Sequence, residues 1–478
     1  MESFRDMMGW PATDNANAAF MKGLTVNGFN IGAAVAAVLS GHLLVDRYGR
    51  KPALIVGSVL FAVGGALQAG ASGAYVLVAG RLVAGIGVGI TSGAGPAYIS
   101  EVAPSSIRGA MVGIYQNNVC LAILGASLLN YFDQYSANGW RWSLGVQTIM
   151  GGVIALGLCF INETPRFLQS IGDSKEALRV LMSLRGMNED EAEAELRLVR
   201  ADMEKEEAAG SATWAEVGSN PFFRNVVIIG CLVQFFQIMT GINAMVSYGG
   251  TLFERLGVRG IATALIPPAF FTAGNMIGSF CLADWVGRRS LLIWGMVAMA
   301  LSLITAGAVN LSASRTIAED GSEHISKDAG YVIISMVVLY MFSFGISWGF
   351  GAWLYVSEIM PLRVRGKAVG LCTGVNWGPA NVMSAFLTPM MIQGSMGPGG
   401  TLLFFGCISA LVVPFAIACI PETSGRTLEQ ITPLFQFTDC RGFRRFVLSN
   451  VRGHRDTRDV AGGYSRADAT TDGSEDSE

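Results

Sequence analysis

The 478-residue chain is 51% hydrophobic and only 14% charged, and it holds 60 glycines, more apolar surface than the core of a soluble protein of this size requires. A water-soluble domain is thereby excluded, and the bilayer becomes the solvent. The net charge of −3 is scattered over short connections and two longer polar stretches, so it names no partner, nucleic acid included.

Residues 1–17 are polar and contain Asp6, Pro11 and Asp14 where a secretory signal needs a basic start and an apolar run. A hydrocarbon core of about 30 Å calls for about 20 apolar residues of helix. Eleven runs qualify: 24–45, 52–71, 75–99, 111–132, 142–161, 225–248, 260–283, 290–311, 331–356, 368–392 and 400–420. They predict an all-α membrane protein. Arg47, Arg50 and Lys51, then Arg108, the 162–222 stretch, Arg288 and Arg289, and Arg363, Arg365 and Lys367 share one side, which the positive-inside bias makes cytoplasmic. An odd number of spans then starts the chain outside and ends it inside. In 162–222, Glu189, Glu191, Glu193 and Glu195 alternate with Leu, Val and Arg, the pattern of short amphipathic helices on the cytoplasmic face. The expected organisation is a bundle over 1–161, a linker over 162–222, a six-helix bundle over 223–420 and a largely disordered tail over 421–478.

The chain repeats itself. Tyr98, Ser100, Glu101, Pro104, Arg108 and Gly109 recur 257 residues later as Tyr355, Ser357, Glu358, Pro361, Arg365 and Gly366. Asp46, Gly49, Arg50 and Lys51 recur 238 residues later as Asp284, Gly287, Arg288 and Arg289, and Glu163-Thr164 recurs as Glu422-Thr423. Equivalent motifs at equivalent span ends imply one ancestral bundle used twice, an arrangement that places a site between rocking halves. Two spans precede Asp284 but only one precedes Asp46, so the first half is expected to lack its opening helix.

Arg81 is the one charged side chain within the eleven runs. Charged groups at membrane depth mark ion and proton pathways, so a neutral substrate is expected. A substrate whose hydroxyls donate and accept would match uncharged amides, and its C–H faces would match aromatic surfaces. Gln234, Gln237, Gly241 and Tyr248 fall on one helical face. Asn243 lies about 240° from Gln237 on an ideal helix and joins that face only if the helix breaks near Gly241. A lone buried amide serves interhelical hydrogen bonding equally well. Seven of the eight cysteines, Cys120, Cys159, Cys231, Cys281, Cys372, Cys407 and Cys419, lie in apolar runs and read as packing residues. No disulfide, metal, cofactor or enzyme grouping is visible. Gly85-Ile86-Gly87-Val88-Gly89 imitates a nucleotide-binding loop, but it sits inside an apolar run and follows no strand; close helix packing explains it better. In the tail, Arg441, Arg444 and Arg445 stand among Phe437, Phe443 and Phe446, a mixture that suits anionic lipid or a plain disordered segment.

Asp46-Arg47-Tyr48-Gly49-Arg50-Lys51, Gly80-Arg81, Tyr98 to Gly109, Glu163-Thr164-Pro165-Arg166, Gln237 to Asn243, Trp353 to Arg365, Asn376-Trp377 and Pro421 to Arg426 stand in order along the chain. With this set the sequence resembles the sugar porter family of the major facilitator superfamily, over essentially all of its length except the tail. The resemblance implies a twelve-helix fold of two pseudo-symmetric bundles, eleven of whose helices are read here, a central sugar site, and facilitated diffusion or proton symport. It implies that Gln237, Gly241 and Asn243 bind sugar, that Gln116 is a first-half contact, and that Phe344, Gly349, Trp353, Asn376 and Trp377 are pocket or gate positions. It also implies a cytoplasmic salt-bridge latch drawn from Asp46, Arg50, Glu101, Arg108, Glu163, Asp284, Arg288, Glu358 and Arg365, closing the inner side.

The sequence departs from the family at Ile238, usually a second Gln, and at Thr272, often an Asn. Phe350 and Ala352 replace a Pro-rich bend, and Trp285 replaces an Arg. The function expected is transport of a small neutral sugar, a hexose before a pentose or polyol, by alternating access in the plasma membrane or an organellar one. A monosaccharide, membrane lipid and, for a symporter, protons are the partners. The alternatives are a sugar sensor that binds without transporting, and an inactive truncated transporter.

Overall fold

A computed structural model of the chain describes residues 16–103, 108–133, 135–136, 138–210, 212–246, 261–313, 315–317, 323–361, 363–424, 431, 435 and 440–452. Within them the protein is almost wholly helical, the only way a single strand-poor chain satisfies its backbone in hydrocarbon. The first half holds α1 (Ala16–Ser40), α2 (Arg50–Ala69), α3 (Ala74–Val102), α4 (Arg108–Asp133) and α5 (Gly139–Cys159). Four linker helices follow: α6 (Pro165–Ser170), α7 (Ser174–Arg185), α8 (Glu189–Ala209) and α9 (Trp214–Ser219). The second half holds α10 (Pro221–Met239), α11 (Ile261–Ile277), α12 (Arg288–Ser312), α13 (Lys327–Phe344), α14 (Phe350–Ile359), α15 (Arg365–Val375), α16 (Asn381–Gln393) and α17 (Gly397–Cys419). A small antiparallel hairpin of β1 (Arg315–Ile317) and β2 (Glu323–Ile325) joins α12 to α13. In the tail, for which the sequence suggested no element, α18 (Cys440–Arg452) is a helix against the end of α17.

Each of the eleven apolar runs is helical over most of its described residues, and nine helices among them are long and apolar enough to cross a membrane. Two of the eleven runs, that of α4 and that of α15–α16, are not among the nine; the second is diluted by Asn376, Asn381 and its glycines. The expected absence of an opening helix concerns residues up to 15, which lie outside the described residues.

Four short stretches are wound as wider π turns: Gly41–Val45, Gly278–Leu282, Gly345–Gly349 and Asn376–Ala380. The first two stand just ahead of the repeated Asp46 and Asp284 motifs, so the duplication reaches into the backbone. The other two join α13 to α14 and α15 to α16 in the middle of their spans.

In the first half, α3 packs on α1 and α2, and α2 on α5. The Gly85–Gly89 pattern makes this possible. A Cβ on Gly87 would lie 2.6 Å from Phe61 N on α2, and one on Gly89 would lie 2.8 Å from Ala36 Cβ on α1. Alternate glycines therefore seat α3 against two helices at once, and no nucleotide loop exists here. The apolar core is densest in the second half, where Trp348, Tyr340, Tyr355, Phe405, Met296 and Met299 are fully buried.

The halves meet along two seams, α4 against α11 and α1 against α15 and α16. The second seam is smooth: Gly370 brings its Cβ position within 3.2 Å of the Ala37 carbonyl, and Gly378 within 3.1 Å of Ala34 Cβ. The first is pinned. Asn117 Nδ2 donates to Ser279 Oγ at 2.9 Å, and Asn275 Nδ2 donates to Asn117 Oδ1 at 2.6 Å. Gly87→Val should overpack the α2–α3 contact at a cost of about 1–3 kcal/mol; a thermal-unfolding midpoint equal to that of the parent protein would refute the close-packing role.

Candidate functional site

The site is built from α10 outward. Asn220 caps this helix by accepting from Phe222 N at 3.0 Å, with Pro221 in its first turn. Gly241 ends it: its φ of +97° is a left-handed value, and a Cβ there would press on the Phe405 ring at 2.6 Å. The break turns Asn243 back towards the bundle axis, and its Nδ2 donates to Asn381 Oδ1 at 2.7 Å. Asn381 Nδ2 donates to the Asn376 carbonyl at 2.6 Å. Asn376 Nδ2 donates to both Gln234 Oε1 and Gln237 Oε1 at 2.8 Å. Gln237 Nε2 closes the chain on the Trp348 and Gly349 carbonyls, at 2.8 and 3.0 Å. Five buried or half-buried amides thus form one hydrogen-bonded row across α10, its continuation, α15 and α16.

The two central π turns make this row. A wider turn releases carbonyls from the regular helical pattern, and in Gly345–Gly349 those of Trp348 and Gly349 become acceptors for Gln237. In Asn376–Ala380, Pro379 supplies no N–H, and five residues instead of four separate neighbours on one face, so Asn381 falls beside Asn376. Gly349 is also needed for its size, because a Cβ there would sit 3.1 Å from Asn275 Oδ1 and 3.3 Å from the Phe271 ring.

Around the row, Phe344 is buried with its ring 5.6 Å from Phe271. Trp377 meets Phe29 of the other half edge-on at 5.9 Å, and its buried Nε1 has no hydrogen-bond partner among the described residues. Trp353 is half-buried on α14, one turn past Gly349. Gln116 is half-buried on α4, its Nε2 4.0 Å from Cys120 Sγ, and Thr272 Oγ1 donates to the Cys120 carbonyl at 3.3 Å from across the seam. Tyr248 lies outside the described residues. Gln234, Gln237, Asn243, Gly349 and Asn376 therefore come together, while Gln116, Phe344, Trp353 and Trp377 stand around them.

Sequence reasoning missed Asn381, Asn275 and Asn117. Asn381 shares a face with Asn376 only through the π turn. Asn275 is one helical turn beyond Thr272, where an i, i+3 count would have found it; its Oδ1 is buried without a partner among the described residues. Asn117 follows Gln116 directly and points to the seam. Trp348, also passed over, is a packing anchor whose Nε1 donates to the Leu292 carbonyl at 2.9 Å.

At the cytoplasmic ends one construction appears twice. Arg50 Nη2 pairs with Glu101 Oε1 at 2.8 Å, while Thr164 Oγ1 donates to Glu101 Oε2 at 2.6 Å. Arg288 Nε pairs with Glu358 Oε1 at 3.1 Å, while Thr423 Oγ1 donates to Glu358 Oε2 at 2.6 Å. Glu163 accepts from Lys51 N at 2.9 Å at the start of α2, and Glu422 accepts from Arg288 N at 2.9 Å at the start of α12, carboxylates where a helix dipole favours them. Lys51 Nζ donates to the Cys159 carbonyl at 3.2 Å and Arg289 Nη2 to that of Ile417 at 2.9 Å, each closing the last helix of its half. Gly49 and Gly287, with φ of +100° and +89°, leave room for the two carboxylates.

Both of these ion pairs are internal to their halves. Asp46 is exposed, Arg365 Nε donates to the Met360 carbonyl at 3.3 Å, and the side chains of Arg108 and Asp284 lie outside the described residues. The linker is shared: Arg185, paired with Glu195, donates to the Ala103 carbonyl of the first half at 3.5 Å, whereas Ala212 N donates to the Arg363 carbonyl of the second at 3.1 Å.

The family model described as "Sugar (and other) transporter" matches residues 1–435. The chain is a member of this sugar transporter family. Similar proteins include the probable glucose transporter rco-3 of Neurospora crassa, 33% identical over 92% of this chain and 75% of that protein. The glucose transporter GlcP of Staphylococcus epidermidis is 30% identical over 86% and 87%, and the galactose-proton symporter of Escherichia coli K12 is 31% identical over 85% and 84%. Among solved structures, the major facilitator proton:xylose symporter XylE bound to 6-bromo-6-deoxy-D-glucose superposes with a TM-score of 0.74 at 25% identity, covering 91% of this chain and 94% of that one. The sugar transporter is accordingly a multi-pass integral membrane protein with the major facilitator fold.

Removing the carboxylate in Glu358→Gln should release Arg288 and Thr423 and shift the transporter towards an inward-facing population. The expected reading is several-fold faster labelling of buried Cys372 by a maleimide applied from the cytoplasmic side; an unchanged rate would discard a gating role for this cluster.

Proposed function

We propose that this transporter carries a small neutral monosaccharide, a hexose in the first instance, across the plasma membrane by alternating access. The observation that carries this reading is the amide row from Asn243 to Gln237, set at mid-span and free of charged side chains. Amides that bond one another exchange partners with sugar hydroxyls at little net cost, since each hydroxyl both donates and accepts. The unpartnered Asn275 Oδ1 and Trp377 Nε1 offer an acceptor and a donor beside the row, and Phe344 and Trp353 offer flat apolar surface. Asn275 supplies an amide one turn from Thr272, where the chain departs from the family pattern, and Asn381 supplies another within the row. The sugars named for the relatives, glucose and galactose, support a hexose.

Transport as a uniport is the mode that the spans support. No Asp or Glu lies within the eleven runs, and carboxylates are common carriers of protons at membrane depth. Uptake should therefore persist in cells treated with a protonophore; uptake that collapses there and is driven by an imposed proton gradient would establish symport instead.

Gln237→Ala strips Asn376 and two carbonyls of a shared partner, a loss of about 1–3 kcal/mol for buried groups. It should lower hexose uptake in a transporter-null cell about tenfold or more at equal surface amount, and Trp353→Ala should lower it as well. Undiminished uptake in both would reject the site, while hexose binding to the purified protein without any uptake would favour a sensor.

A further inference from the structure

Helix α18 has two unlike faces. Gly442, Phe446 and Asn450, spaced four apart, face the protein and are buried. Phe446 packs its ring 5.8 Å from that of Phe435, and Asn450 Nδ2 donates to the Ala418 carbonyl at 2.8 Å. Arg289 Nη2 donates to the Asn450 carbonyl at 2.5 Å and to that of Ile417 at 2.9 Å. Ile417 and Ala418 end the last membrane span, so these bonds hold the helix at the level where hydrocarbon gives way to headgroups.

The outer face exposes Phe443 at 43%, Leu448 at 39% and Val451 at 56%, with Arg444 and Arg445 exposed among them. Three large apolar side chains interleaved with arginines suit neither bulk water nor hydrocarbon, but they suit the boundary between them. The helix is 13 residues long, so its outer face covers on the order of 200 Å². That is small beside the roughly 800 Å² per partner of a stable protein interface, whereas a bilayer sets no minimum area.

We infer that α18 is a lipid-binding element: Phe443 and Val451 enter the acyl boundary of the cytoplasmic leaflet while Arg444 and Arg445 bind the phosphates of anionic lipids. Arg289, which also donates its backbone N–H to Glu422 at 3.2 Å, connects this element to the cytoplasmic cluster of the second half. Leaflet charge thereby acts on the end of the bundle that carries Arg288 and Glu358.

The test uses the full chain in nanodiscs, one copy per disc, made of phosphatidylcholine alone or with phosphatidylserine, and follows amide exchange across 440–452. A juxtamembrane arginine contributes about 1 kcal/mol near an anionic surface, about fivefold each, so exchange should slow roughly 25-fold in the anionic discs. The slowing should vanish in Arg444→Gln/Arg445→Gln and fade at high salt, with exchange in the spans unchanged as proof of folding. Equal exchange in both lipids would overturn the inference and leave α18 as a docked strut. Slowing that appears only with two copies per disc would overturn it in favour of self-association. Neither reading depends on sugar uptake, so a failure here leaves the proposed function standing.

Discussion

An amide side chain in hydrocarbon has no water to bond, and leaving one of its donors unpaired is costly. This constraint shapes the centre of the transporter. Gln234, Gln237, Asn376, Asn381 and Asn243 bond one another in a row, and the helices bend to make that row complete. The break at Gly241 delivers Asn243, the π turn at Gly345–Gly349 frees two carbonyls, and that at Asn376–Ala380 brings Asn381 alongside Asn376. Polar groups held this way keep the site ordered, and they remain exchangeable for a ligand that offers both donors and acceptors.

The cytoplasmic ends meet the same constraint with charge. Every helix start leaves backbone donors open, and at α2 and α12 these are closed by Glu163 and Glu422. Arg50 and Arg288 then pair with Glu101 and Glu358, whose second oxygens accept from Thr164 and Thr423. The motif carried twice by the sequence is thus a kit for tying three helix ends together within one bundle. Tied ends let a half move as a body, which a rocking mechanism requires.

Much of this was legible in the sequence. The eleven apolar runs coincide with the helices, because a span of about 20 apolar residues has few other fates. The repeat placed Arg50, Glu101, Arg288 and Glu358 at equivalent ends, though not the partners they choose. Gln234, Gln237 and Gly241 could be read from helical periodicity, and Asn376 from its motif. Asn381 could not, since a period of 3.6 places it off the face that a π turn restores to it. The Asn117–Asn275 pair was hidden for another reason: which helix faces which across a seam is a property of tertiary packing and leaves no mark on either run. For the same reason α18 was illegible, as its apolar stripe is short and its mate is a helix end 20 or more residues away.

The bond of 2.6 Å between Asn275 and Asn117 joins the two halves, so any rearrangement that parts α4 from α11 must break it. Interhelical bonds of this sort contribute about 0.6–2 kcal/mol in a membrane. The pair therefore forms part of the barrier to rocking unless another contact replaces it. A ligand hydroxyl offered to Asn275 would supply such a replacement, so this seam can link occupancy of the site to the ease with which the halves part.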